Sequence, residues 1–148
     1  MSDSLGFLIS DTSRLLRRRF DDRARTIGVT RAQWRTLVTL SRNEGLNQGA
    51  LADLLEVEPI TLCRMIDRLA EAGLVERRRD PADRRAWRIH LTDAARPLLE
   101  QLKVIADDLF AHALDGVDPA DAQTVVRTLE AIRANLSHPI VEDETAHG

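Results

Sequence analysis

The 148-residue chain has no tyrosine, a single cysteine (Cys63) and a single lysine (Lys103), and aromatic residues make up only 3% of it. One cysteine rules out an internal disulfide framework and fits a reducing cytosol. With so few rings, aliphatic side chains must fill any core. No apolar run approaches the ~18 residues of a membrane span, and the stretch from Met1 lacks the basic-then-apolar layout of a secretion signal. The expectation is a cytoplasmic protein with no membrane partner. A glycine-rich phosphate loop, a nucleophile elbow, CxxC and HExxH are also missing, so no reaction has a candidate catalytic set and no cofactor is expected. Asp108 and His112 stand four residues apart, but two ligands do not make a metal site, and they read as a solvated helix pair.

The chain holds 43% hydrophobic and 30% charged residues, and its length fits one domain with a real core. Its net charge of −3 hides an uneven spread. Residues 61–90 carry eight arginines against five acids, whereas residues 91–148 carry four basic against eleven acidic residues. Such asymmetry suggests a middle segment that meets polyanions and a C-terminal part that does not. The basic side is almost all arginine, the residue suited to two-pronged contacts with phosphate and guanine; a GC-rich coding sequence would give the same bias.

Hydrophobic spacing predicts a helix over 5–25, where Leu5, Leu8, Leu15 and Leu16 recur at three-four intervals before Gly28 breaks the pattern. Thr30 and Gln33 form a capping-box pair opening a second helix to Arg42, with Trp34, Leu37, Val38 and Leu40 inward. Asn47 caps a short third helix from Gln48 to Leu55. Pro59 starts a fourth over 59–72, which places Leu62, Ile66 and Leu69 in one arc and Thr61, Arg64 and Arg68 roughly opposite. Gly73 is set to end it.

The period then changes from 3.6 to 2. Residues 74–79 and Trp87 to Leu91 read as two strands, and Asp80-Pro81-Ala82-Asp83-Arg84-Arg85 between them has turn chemistry. His90 alternates outward without an evident partner. Thr92 caps a fifth helix to about Ala113, with Pro97 one turn inside and expected to bend it. Asp118-Pro119 opens a sixth, stopped by His138-Pro139. The fold class expected is mainly α with a small β-hairpin (α+β): a winged helix-turn-helix with N- and C-terminal dimerisation helices. It forms a single domain over 1–148, with dimerisation helices at 5–28 and 92–137, a DNA-binding lobe at 30–91 and a flexible tail at 138–148.

The second helix of such a pair fits the major groove and offers its first turns to base edges. Here those turns carry Glu58, Ile60, Thr61 and Arg64, with Arg68 placed for phosphate. Arg64 can reach guanine O6 and N7 together, and Thr61 can meet a base or a thymine methyl. Arg84 and Arg85 sit at the hairpin tip, where one can enter a narrow minor groove. Arg77 on the preceding strand joins the candidate DNA contacts, while Asp80 and Asp83 shape and brace the wing. An exposed arginine is more often only solvated; joint placement on a reading helix and a wing is what points to double-stranded DNA.

The run Leu69-Ala70-Glu71-Ala72-Gly73-Leu74-Val75-Glu76-Arg77, followed by Asp80-Pro81-Ala82-Asp83-Arg84-Arg85-Ala86 and Leu91-Thr92, resembles the MarR family of bacterial transcription regulators. The Asp-Arg-Arg-Ala wing and Pro97 look most like its SlyA-like branch. The resemblance spans about residues 5–137 and implies a homodimeric winged-helix repressor or activator, often released by small phenolic or aromatic carboxylate ligands. By position it implies that Arg64 reads bases, Arg85 enters the minor groove and Asp83 braces the wing. Cys63 stands where the family more often has Val or Thr, so no role carries over to it.

The stripes Leu98/Leu102/Ile105/Leu109 and Val125/Leu129/Ile132/Leu136 have near-heptad spacing suited to helix pairing, which supports a dimer on a palindrome; burial within one chain is the alternative. Trp34, with Arg14 as a nearby cation, is a candidate effector pocket, against core filling by Trp34 and an ion pair at Arg14. Two rival functions stand beside DNA regulation: a winged helix used only for protein contacts, and a redox-responsive regulator using Cys63. A small semi-buried thiol is the plainer reading of that cysteine.

Overall fold

The computed structural model describes residues 3–138, as six helices and one two-stranded antiparallel sheet. Their order is α1 (Asp3–Thr26), α2 (Arg31–Arg42), α3 (Gln48–Leu55), α4 (Pro59–Glu71), β1 (Val75–Arg79), β2 (Trp87–Leu91), α5 (Ala95–Ala113) and α6 (Pro119–Ser137). Backbone contacts group the chain into two units, Met1–Phe110 and Ala111–Gly148. The expected tail over 138–148 lies, except for His138, outside the described residues.

Local chemistry sets most of the helix ends. The Thr30 hydroxyl accepts from the Gln33 N–H while the Gln33 side chain accepts from the Thr30 N–H, a reciprocal capping box opening α2. Asn47 accepts from the Ala50 N–H at the start of α3. Asp118 does the same for Ala120 at α6. Past α4, Gly73 takes φ +75°, and the Leu74 N–H reaches back to the Leu69 carbonyl at 2.9 Å. A side chain there would strain this left-handed turn, which launches β1 immediately after the helix.

The turn between α3 and α4 is tight. Glu56 adopts φ 54° and ends α3, and Glu58 then runs extended into Pro59. Holding a non-glycine residue there costs about 1–2 kcal/mol. Tertiary packing offsets it, because Leu51, Ala52 and Leu55 of α3 and Leu62, Ile66 and Leu69 of α4 bury in one cluster with Leu37, Leu40, Val75 and Ile89. Each fully buried leucine or isoleucine contributes about 1.5–3 kcal/mol by leaving water. A second cluster joins Phe20, Ala24 and Val29 to Leu102 and Leu109.

Strands β1 and β2 pair from Val75↔Leu91 to Arg79↔Trp87, leaving 80–86 as the tip. Residues 45–47 form an additional edge: the Gly45 N–H donates to the Ile89 carbonyl, the Ile89 N–H donates to the Leu46 carbonyl, and Asn47 bridges Arg88. His90 lies over Gly45, where even a methyl group would approach its ring to 3.1 Å. The histidine that alternation left without a neighbour is therefore half-buried against this edge.

Three sequence expectations change. Thr92 does not cap α5, which begins at Ala95; its hydroxyl donates to the Gly73 carbonyl at 2.5 Å and ties the end of the sheet to the end of α4. Pro97 is consequently the third residue of α5, where its missing N–H has no partner to lose and no bend is required. The stripe on α5 is not a free seam: Leu102 and Leu109 are buried, and Leu98 and Ile105 pack half-buried against the same cluster as Phe20. On α6, by contrast, Val125, Leu129 and Leu136 are exposed.

Candidate nucleic-acid interface

Helix α4 separates its two duties by periodicity. Leu62, Ile66 and Leu69 occur at i, i+4 and i+7 and are at most 1% exposed. Thr61, Arg64 and Arg68 fall within an arc of about 60° on another face, and all three are exposed. Ile60 joins that face and is 66% exposed. Glu58 is the N-cap residue but makes no side-chain cap bond. The first turn of α4 therefore keeps its outward N–H donors open, at the positive end of the helix dipole.

The eight arginines of residues 61–90 divide into tied and free groups. Arg77 pairs with Asp67 at 2.6 Å, donates to the Cys63 carbonyl at 3.2 Å and touches Gln48. Arg78 pairs with Glu76 on its own strand. Arg79 donates to the Arg84 carbonyl at 3.2 Å and lies over the Trp87 ring, 5.0 Å from its centroid. Arg88 donates to Asp80 at 3.1 Å. Among the described residues, Arg64, Arg68, Arg84 and Arg85 make no ion pair and no side-chain hydrogen bond within the chain. Arg77, a candidate DNA contact, stands by strand alternation on the same sheet face as buried Val75, and its guanidinium is directed at α4 and α3.

The two wing aspartates shape the tip. Asp80 accepts from the Ala82 N–H at 2.8 Å and from Arg88, and its own N–H donates to the Ala86 carbonyl. Asp83 accepts from the Arg85 N–H at 3.0 Å, and its carbonyl accepts from the Ala86 N–H. Both side-chain bonds run to an N–H two residues on, the arrangement by which Asp favours turns. The Ala82 N–H and then the Arg88 guanidinium hold the Asp80 carboxyl below its ordinary pKa. The result is a closed loop with the Arg84 and Arg85 side chains outside it.

A second feature lies within the first unit, among α1, α2 and α5. A largely apolar cavity of about 540 Å³ has Phe20, Trp34, Leu99 and Leu109 among its walls, with Arg17, Arg42 and Lys103 as its cations and Glu100 as its acid. Trp34 is fixed on two sides: its ring meets Phe20 at 4.5 Å between centroids, and its indole N–H donates to Asp21 at 2.6 Å. Partial burial raises the Asp21 pKa, but hydrogen bonds from Arg31 and Trp34 and the charges of Arg31 and Arg25 outweigh it and hold the carboxyl below the usual range.

Trp34 thus lines the cavity, whereas Arg14 does not; it pairs with Asp11 on α1. The reason is register. Trp34 meets α1 at Phe20, six residues and about 9 Å beyond Arg14, so the arginine one turn from Phe20, Arg17, takes that place. Spacing held the signal for the other two cations: Arg42 continues the Trp34–Val38 stripe, and Lys103 falls between Leu99 and Ala106. Cys63 is half-buried and receives contacts from Arg77 at its carbonyl and sulfur. Among the described residues no three His, Cys, Asp or Glu side chains group to hold a metal, and no helix is long and apolar enough to cross a membrane.

Comparison with known proteins places this geometry. The MarR family model matches residues 29–87, from the start of the α2 region to the first residue of β2. A MarR transcriptional regulator from Methanosarcina mazei Go1 is 28% identical, with 90% of this chain and 96% of that one covered and a TM-score of 0.78. Transcriptional regulator PA3341 is 35% identical, covering 89% and 97%, with a TM-score of 0.76. A cysteine-to-serine variant of MarR from E. coli, solved in complex with operator DNA, is 26% identical, covering 86% and 92%, with a TM-score of 0.70. With residues 29–87 matched by the family model and nearly its whole length superposing on MarR transcriptional regulators, the chain carries a MarR-family winged-helix domain.

Proposed function

We propose that this protein is a sequence-specific regulator of transcription that binds double-stranded DNA as a homodimer on a palindromic operator. Residues 59–72 lie in the major groove and the wing at 80–86 lies in the minor groove. The observation that carries this reading is the division of the arginines: those that could be tied internally are tied, while Arg64, Arg68, Arg84 and Arg85 remain free on the reading face and the wing tip. The E. coli MarR variant was solved in complex with operator DNA, which supports DNA binding by this similar chain. In this reading Arg64 and Thr61 address bases, Ile60 meets thymine methyls, Glu58 accepts from cytosine N4, and Arg68 and Arg84 address phosphates. Arg85 enters the minor groove.

The dimer is supported by apolar surface that the single chain leaves exposed. Near the start of α1, Phe7 is 69% and Leu8 60% exposed, and the Val125/Leu129/Leu136 side of α6 is also open. Patches of this kind on a small protein mark association surfaces. A two-fold dimer sets two reading helices about 34 Å apart, one turn of DNA. The wing sequence at 83–86 and Pro97 support placement in the SlyA-like branch. The cavity beside Trp34 supports release by a small anionic aromatic, a phenolic or aromatic carboxylate, whose ring would meet Phe20 and Trp34 and whose charge would meet Arg17, Arg42 or Lys103.

The test is selection of duplexes from a random pool by the purified protein, with affinity then measured from 50 to 200 mM salt. The expected result is a palindrome with half-sites about ten base pairs apart and a steep negative salt slope. Weak binding without a salt slope overturns the DNA reading. A sedimentation mass of one 16.6 kDa chain at the binding concentration overturns the dimer.

A further inference from the structure

Arg77 joins three elements that read or frame the DNA site. From β1 it forms an ion pair at 2.6 Å with Asp67 of α4, donates at 3.2 Å to the Cys63 carbonyl of α4, and reaches Gln48 of α3 at 3.4 Å. Cys63 and Asp67 are four residues apart, so one guanidinium spans a single turn of α4. Its side chain is 23% exposed, against 53% for Asp67. The flank it holds adjoins Ile60 and Arg64 rather than the buried Leu62, Ile66 and Leu69. Apolar packing of those three fixes the depth of α4 in the core but resists rotation about its own axis only weakly. A directional ion pair on the flank resists that rotation.

The geometry points to Arg77 as a positioning residue: with Asp67 it sets the rotation of the reading helix and locks the wing to it, without touching DNA. This rests on the DNA-binding reading for its consequence. Side-chain atoms lie about 5–6 Å from a helix axis, so a 20° rotation moves them about 2 Å. A paired contact with a base tolerates about 0.5 Å. Loss of the bracket therefore damages sequence discrimination first. A direct phosphate contact by Arg77 would instead contribute to all sequences alike and to the salt slope.

The two roles give opposite results in Asp67→Asn. If Arg77 met phosphate, removing an acid beside it would strengthen binding to every duplex. If Arg77 is a bracket, the same change releases α4. The experiment compares wild type, Arg77→Gln, Asp67→Asn, the double variant and Arg77→Lys on a duplex selected by the wild type and on its scrambled counterpart. Each single change is expected to lower the selected-to-scrambled affinity ratio about tenfold, the double change no further, and Arg77→Lys, which keeps the ion pair, to retain most of the ratio. The salt slope stays at the wild-type value.

Amide hydrogen exchange on the same variants without DNA is expected to quicken in α4 and at Asp80 and Ala86 of the wing. A slope reduced by about 0.9 per subunit, additive losses in the double variant, or an unchanged ratio overturns the bracket. If the wild type selects no duplex, the DNA reading fails separately, and unchanged exchange in Arg77→Gln overturns the bracket on its own.

Discussion

Arg64 provides the sharpest test of how this surface works, because its structural and functional roles separate cleanly. It is exposed on α4 and, among the described residues, has no ion pair or side-chain hydrogen bond to lose. Replacing it with alanine should therefore leave stability within about 0.5 kcal/mol, a shift in Tm of about 2 °C at most for a chain of this size. Binding should respond very differently. A two-pronged contact to guanine is worth about 1–3 kcal/mol, and a dimer makes it twice. The loss is then about 2–6 kcal/mol, roughly thirtyfold to twenty-thousandfold in Kd on the selected duplex, at 1.4 kcal/mol per tenfold.

On a scrambled duplex the loss should be much smaller, since there Arg64 contributes only as a charge. Arg68→Ala is the internal control: it should weaken both duplexes alike and reduce the salt slope by about 1.8 for two subunits. Fluorescence anisotropy on both duplexes at several salt concentrations, with thermal melts alongside, measures all of these. Equal losses on the two duplexes for Arg64→Ala would show a phosphate contact, and no loss on the selected one would refute the assignment of α4 as the reading helix.

Three further outcomes follow from the same geometry. Arg85→Ala should lower affinity most for operators with A/T-rich flanks, whose narrow minor groove attracts the wing arginine, and equal losses on G/C-rich flanks would remove that role. Asp80 has its folded pKa below the ordinary carboxylate value, so its contribution to stability is fully present above the unfolded pKa and disappears as pH falls through the folded one. Urea midpoints measured below about pH 4 should therefore decline less steeply in Asp80→Asn than in wild type. Finally, a phenolic or aromatic carboxylate bound in the cavity should change Trp34 emission, and Arg17→Ala should weaken that response; a response unaltered in Trp34→Phe would locate the ligand elsewhere.

The sequence alone determined what neighbours along the chain can settle. Capping boxes, Pro at a first helical position, and the change from 3.6 to 2 periodicity depend on residues within one turn of each other, so Thr30, Asn47, Pro59 and the β1–β2 hairpin were all legible. The same period separated Leu62, Ile66 and Leu69 from Thr61, Arg64 and Arg68. Local pattern put Arg77 on a strand and Arg85 in the turn, but only the approach of β1 to α4 brought Asp67 to the first and left the second outside. Likewise Arg14 and Arg17 lie one turn apart on α1, and the crossing that set Trp34 on Phe20 chose between them. Thr92 met Gly73, nineteen residues away, before it could cap α5. Local pattern fixes which face a residue is on, because a helix or strand repeats within a few residues. What that face meets depends on distant segments whose packing no local period encodes.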